Sequence, residues 1–240
     1  MTFPAGTSVT RLAVYPDRCA DGLAGGTPHL HTASTEAYVV TGGHGALQTL
    51  DPTGFHETPL RAGSTVWFTP GTIHRAVNHG DLAVVVVMQN AGLPEAGDAV
   101  MTFPTEVVTD PERYRVAATL PPDGCDADLA AATAARRDLA VTGFLHLVDR
   151  TQHGDTAALA AFYDAAVALV RPAVARWRRI WAQSAARQAQ ITGEVLDAMA
   201  RGDGRHLLDA RSLHAPPPAQ PSWGMCGRLL PLGHGQPPPP

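Results

Sequence analysis

The sequence predicts an antiparallel β-barrel in its first half followed by an α-helical region, and three observations predict it. Up to about residue 110 the chain runs in short strand-like stretches, apolar either at every second position or throughout, separated by glycine-rich corners. Beyond Pro121-Pro122-Asp123-Gly124 the composition turns Ala- and Arg-rich, and apolar residues recur at three and four. Two histidine-bearing clusters, His29-Leu30-His31 with Glu36 and Pro70-Gly71-Thr72-Ile73-His74, both lie in the strand-like part.

Residues 8–15 alternate as a strand, whereas residues 82–89 form a near-continuous apolar run, the pattern of a strand buried on both faces. Gly42-Gly43, Asp51-Pro52-Thr53-Gly54, Gly63 and Gly71 supply tight corners. In a strand, residues two apart share a face, so His29 and His31 project together while Leu30 points away. After the short polar stretch 32–35, Glu36 opens the next apolar run and returns a carboxylate to that face. The strand of residues 63–69 ends in the Pro70-Gly71 turn, which sets His74 at a strand start. A lone histidine on an apolar strand is more often a hydrogen-bonded core residue than a ligand. Three imidazoles and a carboxylate that share one interior, however, are a ligand set for a divalent transition metal with open positions.

These residues resemble the cupin family. Its first motif, G(x)5HxH(x)3–4E(x)6G, is matched by His29, His31, Glu36 and Gly43, with the leading glycine out of step, since Gly22 and Gly26 bracket its place. Its second motif, G(x)5PxG(x)2H(x)3N, is matched by Gly63, Gly71, His74 and Asn78, with Pro70 one place late. The resemblance covers roughly residues 8–110 and implies a jelly-roll barrel holding one metal on His29, His31, Glu36 and His74. Strand parity adds a pocket: Tyr38 shares the face of Glu36, Asn78 that of His74, and Gln48, Phe68 and Met88 stand across from them. Arg75 is expected to face away from His74.

The scaffold hosts many reactions. An oxygenase using Fe2+ is the first expectation, with Mn2+, Ni2+ or Zn2+ as other possible metals. A redox-neutral isomerase, epimerase or cyclase is the alternative, and a non-catalytic small-molecule-binding protein the third reading. The substrate is expected to be a small organic molecule.

Composition narrows the field further. The net charge of −4 gives no basic field for nucleic acid. All eighteen basic residues are Arg, so Schiff-base chemistry and a lysine base are excluded. Cys19, Cys125 and Cys226 are too few and too scattered for a disulfide framework. No uninterrupted apolar run suggests a membrane span and the start has no signal pattern, so a cytoplasmic location is expected, with homodimerisation through an edge strand.

The organisation expected is a barrel over 1–115, a helical region over 116–214 and a Pro-rich tail over 215–240. Helices are expected from Asp126 to about Leu139, through 143–148, and from Asp155 to Gln190, where Phe162, Ala166, Leu169, Val170, Val174, Trp177 and Trp181 form an apolar stripe kinked at Pro172. Core packing is the reading preferred for that stripe. Two short helices are expected at 192–201 and 203–213. The apolar stretch Trp223–Leu230 is expected to be ordered by surface packing, with Cys226 or His234 reaching the metal as the lesser possibility.

Overall fold

The computed structural model describes residues 3–215 and 220–232. Seven strands come first: β1 (Ser8–Val14), β2 (His29–His31), β3 (Glu36–Asp51), β4 (Gly54–Arg61), β5 (Thr65–Phe68), β6 (Ile73–Met88) and β7 (Ala99–Met101). The helices are α1 (Thr105–Val108), α2 (Pro111–Ala118), α3 (Asp126–Gln152), α4 (Thr156–Val170), α5 (Val174–Gln183) and α6 (Ala185–Ala200), and the strands β8 (Ser222–Trp223) and β9 (Gly227–Leu232) follow. All strand pairs are antiparallel, in the order β4-β3-β6-β1-β9-β8, with β5 on β3 and β2 bridging β6 and β7. The result is the expected jelly-roll barrel followed by helices.

The long strands β3 and β6 are bent. Register shifts between Val40 and Gly45 let the first part of β3 pair with β5 and the second with β4, while β6 follows both parts. Two apolar cores result from strand alternation. One fills the barrel, with Leu12, Tyr38, Val40, Leu47, Phe68 and Met88 among its members. The other joins the barrel's outer face to the helices through Leu30, Leu50, Ile73, Val100, Phe144 and Phe162.

The helical region departs from expectation in three places. Helix α3 runs unbroken to Gln152 rather than pausing near Leu139, because Gly143 marks a close crossing rather than a stop. A Cβ there would lie 2.1 Å from the Thr102 carbonyl oxygen. Gly143→Ala therefore gains helix propensity of about 1 kcal/mol yet is expected to destabilise the protein by roughly 1–3 kcal/mol, read as a lower Tm. An unchanged or higher Tm would show that this contact is slack. Downstream, the helix beginning at Asp155, whose carboxylate accepts from the Ala157 and Ala158 amides, is divided as expected by a 3-10 turn over Arg171–Ala173 containing Pro172. It breaks again at Ser184, and residues 203–213 form only a 3-10 turn, Arg205–Asp209.

Phe162 and Ala166 enter the second core, and Trp177 docks with its indole N–H on the Ala96 carbonyl at 3.2 Å. Val174 and Trp181, by contrast, stay exposed. Contrary to expectation, an 18-residue window within Thr156–Ala200 reaches a mean hydropathy of 1.5. That stretch is divided into helices of 15, 10 and 16 residues, against the ~20 of a membrane span.

The C-terminal segment is the largest correction. Residues 227–232 are not surface packing: β9 pairs with β1 from Val9↔Leu232 to Val14↔Gly227, so the sheet takes in chain from beyond residue 215. The proline runs 216–218 and 237–240 and His234 lie outside the described residues.

Candidate metal centre

Strand β2 pairs with β6 at His29↔His74, and β3 enters beside them at Glu36. The turn at Gly71 has φ +88°, a conformation that favours glycine, and its amide donates to the His31 carbonyl at 2.9 Å. That bond ties the approach to His74 to the strand carrying the other two imidazoles. One ligand atom from each of His29, His31, Glu36 and His74 lies within 4.8 Å of the other three, and all four residues are buried. His29 and His74 are 2% and 0% exposed, whereas His31 and Glu36 retain 6% and 5%, so the site's least covered side is theirs.

Each imidazole is anchored through Nδ1. His29 donates to the Thr27 carbonyl at 2.9 Å, His74 to the Thr72 carbonyl at 3.1 Å, and His31 meets the Asp98 carboxylate at 2.6 Å. A carbonyl can only accept, so Nδ1 of His29 and of His74 carries a hydrogen, and Nε2 is the ring nitrogen left to ligate a metal. Nε2 of His31 and of His74 stand 3.2 and 3.1 Å from the same oxygen, Oε2 of Glu36. Although that close, Glu36 Oε2 and His74 Nε2 are buried atoms without a hydrogen bond of proper geometry. Donor atoms aimed at a common point rather than at each other suit a cation between them, and three neutral imidazoles with one carboxylate suit a divalent one. The residues fit the metal.

The protonation pattern agrees. Burial, then the neighbouring His74 and His31, push His29 well below its ordinary value. Burial alone would lower His31 as well, but its hydrogen bond to Asp98 and the adjacent Glu36 carboxylate raise it to about 10. Glu36, which burial would raise, is held well below the carboxylate range by His74 and His31. Without metal, then, a proton on His31 occupies part of the cation's place.

The sign of the pH effect follows. A folded-state value of about 10 against ~6.5 unfolded means this proton stabilises the metal-free fold below ~6.5 and that its contribution fades as the pH rises towards 10. Metal must displace the same proton. Apparent affinity is expected to rise by up to about tenfold per pH unit between 7 and 9, with close to one proton released in calorimetric titrations across buffers. A flat profile would mean that His31 is already neutral.

The residues expected to line a pocket divide. Glu36 is in register with Phe68 and Met88, and Phe68 lies 4.1 Å from the His74 ring, with Tyr38 edge-on to Phe68 at 5.5 Å. Gln48 is a correction: it is paired with Arg75 on the opposite face of the sheet from His74 and donates to Glu57 at 3.0 Å. The bulges in β3 reverse the parity assumed for it. Asn78 shares the His74 face, but its amide is consumed in structure, donating to the Val14 carbonyl and accepting from the Gly80 and Leu82 amides. Arg75 faces away, as expected, and pairs with Asp21.

Of two further neighbours of the centre, Asp98 escaped the sequence reading. Asp98 is wholly buried and reaches His31 because β2 pairs with β7 at His31↔Ala99. No spacing connects it to the ligands. Cys226, considered only as the lesser possibility, enters the barrel interior with Sγ 3.9 Å from His29 Nδ1, on the side of the ring away from Nε2. Burial and the Glu36 charge push its thiol up to about 12.

Residues 20–89 match the Cupin_2 family model, described as a cupin domain. No curated protein is similar to the chain. Solved structures similar to it include a conserved protein with a double-stranded β-helix domain from Klebsiella pneumoniae, at 21% identity and TM-score 0.27, covering 34% of this chain and 64% of that one. A cupin 2 conserved barrel domain protein from Salinispora arenicola is 22% identical at TM-score 0.28, covering 40% and 72%. Streptomyces PAC13 with uridine is 19% identical at TM-score 0.28, covering 37% and 62%. The match thus spans less than two thirds of the Klebsiella protein.

Proposed function

We propose that this protein is a metal-dependent enzyme that oxidises a small organic molecule with dioxygen at His29, His31, Glu36 and His74. The observation that carries the reading is the convergence of three imidazole Nε2 atoms and one carboxylate in a buried apolar interior. A bound Fe(II) would supply the redox chemistry that dioxygen requires. The chain's own residues contribute orientation and exclusion of water: Thr27 and Thr72 carbonyls and Asp98 fix the imidazoles, and Tyr38, Phe68 and Met88 wall the interior.

The redox reading is preferred to isomerisation because, among the described residues, the barrel core offers no general base besides the four metal-binding side chains. Apart from the ligands, the titratable members of the barrel core among the described residues are the Tyr38 phenol, which burial and the Glu36 charge raise well above its ordinary value, and the Cys226 thiol, raised by the same causes. Both stay protonated at neutral pH, and an isomerase or epimerase needs a group that accepts a proton. The substrate is expected to enter at the His31 and Glu36 side.

The test is anaerobic loading with Fe(II), addition of a library of small bidentate ligands, and admission of oxygen. Substrate-dependent oxygen uptake is expected. Turnover that continues unchanged without oxygen, or with Zn(II) in place of iron, would replace this reading with a redox-neutral one.

A further inference from the structure

We propose that a cavity between the end of β1 and helix α3, separate from the metal centre, binds a small aromatic carboxylate. The cavity measures about 320 Å³, and its lining includes Tyr15, Asp17, Arg18, Thr133, Arg137 and Trp223. That volume is at the small end of the roughly 300–1,000 Å³ typical of small-molecule sites.

The charge argument begins with an imbalance. Arg137 is only 2% exposed, yet its donors reach only backbone carbonyls, those of Gly25 at 3.3 Å and Arg18 at 3.5 Å, and its Nε has no partner. Its neighbour Arg136 is buried too, on the carbonyls of Ala118 and Gly224, again with Nε unpartnered. Among the described residues neither forms an ion pair, in contrast to the buried Arg75, which holds Asp21. Buried cations are normally paired, so the unpaired guanidinium of Arg137, which lines the cavity, calls for an anion.

The ring argument is independent of this. Tyr15 and Trp223 stack at 5.9 Å with 26° between their planes, with the Arg137 guanidinium 5.2 Å over the first and that of Arg228 4.1 Å over the second. Their polar ends are already engaged, the Tyr15 hydroxyl on the Gly224 carbonyl and the Trp223 indole N–H on Asp126. Both rings also line the cavity, so an apolar group there meets aromatic carbon. On the α3 side the wall is made of alanines, which leaves room for a flat group. Thr133 adds a buried hydroxyl without a partner. Asp17, the carboxylate of the lining, disfavours a multiply charged anion, so a carboxylate fits better than a phosphate.

The hairpin at Gly224–Cys226 divides the two sites. Gly224 is held by Tyr15 and Arg136 on the cavity side, while Cys226 faces His29 on the other.

Benzoate titrated into the full-length metal-loaded protein by calorimetry is the test. One saturable site per chain is expected, at least tenfold weaker for neutral benzamide, for Arg137→Gln and for Ala131→Trp, which fills the cavity and keeps the guanidinium. Should Arg137→Gln fail to fold, Ala131→Trp decides. His74→Ala, which acts on the metal centre alone, is expected to leave benzoate binding unchanged. Absence of saturable binding, equal binding of benzamide, unchanged binding in the cavity variants, or loss of binding in His74→Ala would overturn the proposal.

Discussion

His74→Ala is expected to abolish stoichiometric metal binding. His74 is fully buried, its Nδ1 is committed to the Thr72 carbonyl, and its Nε2 has no hydrogen-bond partner within the protein. The three donors left behind would hold a divalent ion far more weakly. Changes one shell further out cost about 10–100-fold in affinity, and loss of a direct ligand should exceed that. The readouts are metal content after purification without added metal, and the difference in Tm between loaded and stripped protein. For the natural sequence the loaded form should gain about 2.7 kcal/mol when free metal is 100 times Kd, and the variant should show almost none of this. The stripped variant should keep its fold, because Ile73 and Ala76 around it pack in the two cores independently of the ring. Retention of one metal per chain would mean that the four donors do not act on a common ion.

The second large effect is expected from Asp98→Asn. The carboxylate is fully buried at 2.6 Å from His31 Nδ1, and with Glu36 it is what raises His31 to about 10. Asparagine keeps the size and can still accept the hydrogen, but it removes the charge that makes the imidazole a stronger donor. Metal affinity should fall by about 10–100-fold. The pH profile separates this role from simple packing: the variant should release less than one proton on loading, and its affinity should flatten between pH 7 and 9. Equal affinity with unchanged proton release would reduce Asp98 to a space-filling residue. The loop carrying it is held from outside, since Trp177 on α5 donates to the Ala96 carbonyl. The helical region is thereby linked to the centre through a hydrogen-bonded path to His31.

How much of this was legible in the sequence depends on the distance over which each signal acts. His29, His31 and Glu36 share a face because strand periodicity and a short polar turn require it, and the Pro70-Gly71 turn placed His74 at the start of β6. Tyr38 and Phe68 followed from parity within unbroken strand segments. Gln48 did not, because β3 changes register between Val40 and Gly45, and each shift reverses which face the next residue takes. Asn78 has the right face but serves the turn beyond it, which parity cannot reveal. Gly143 read as a pause in a helix when it is where the helix passes close to the backbone of Thr102 and Phe103, just after β7.

By itself the sequence determined the barrel, the helical region and the four converging ligands, since each rests on local periodicity, turn chemistry and ligand spacing. Only the tertiary structure decided that Asp98 stands behind His31, that β9 closes on β1, and that Cys226 and the cavity beside Arg137 lie on opposite sides of one hairpin. These are contacts between segments 67 to more than 200 residues apart. They arise from which buried surfaces meet when the two cores form, and no periodicity in the chain records that choice.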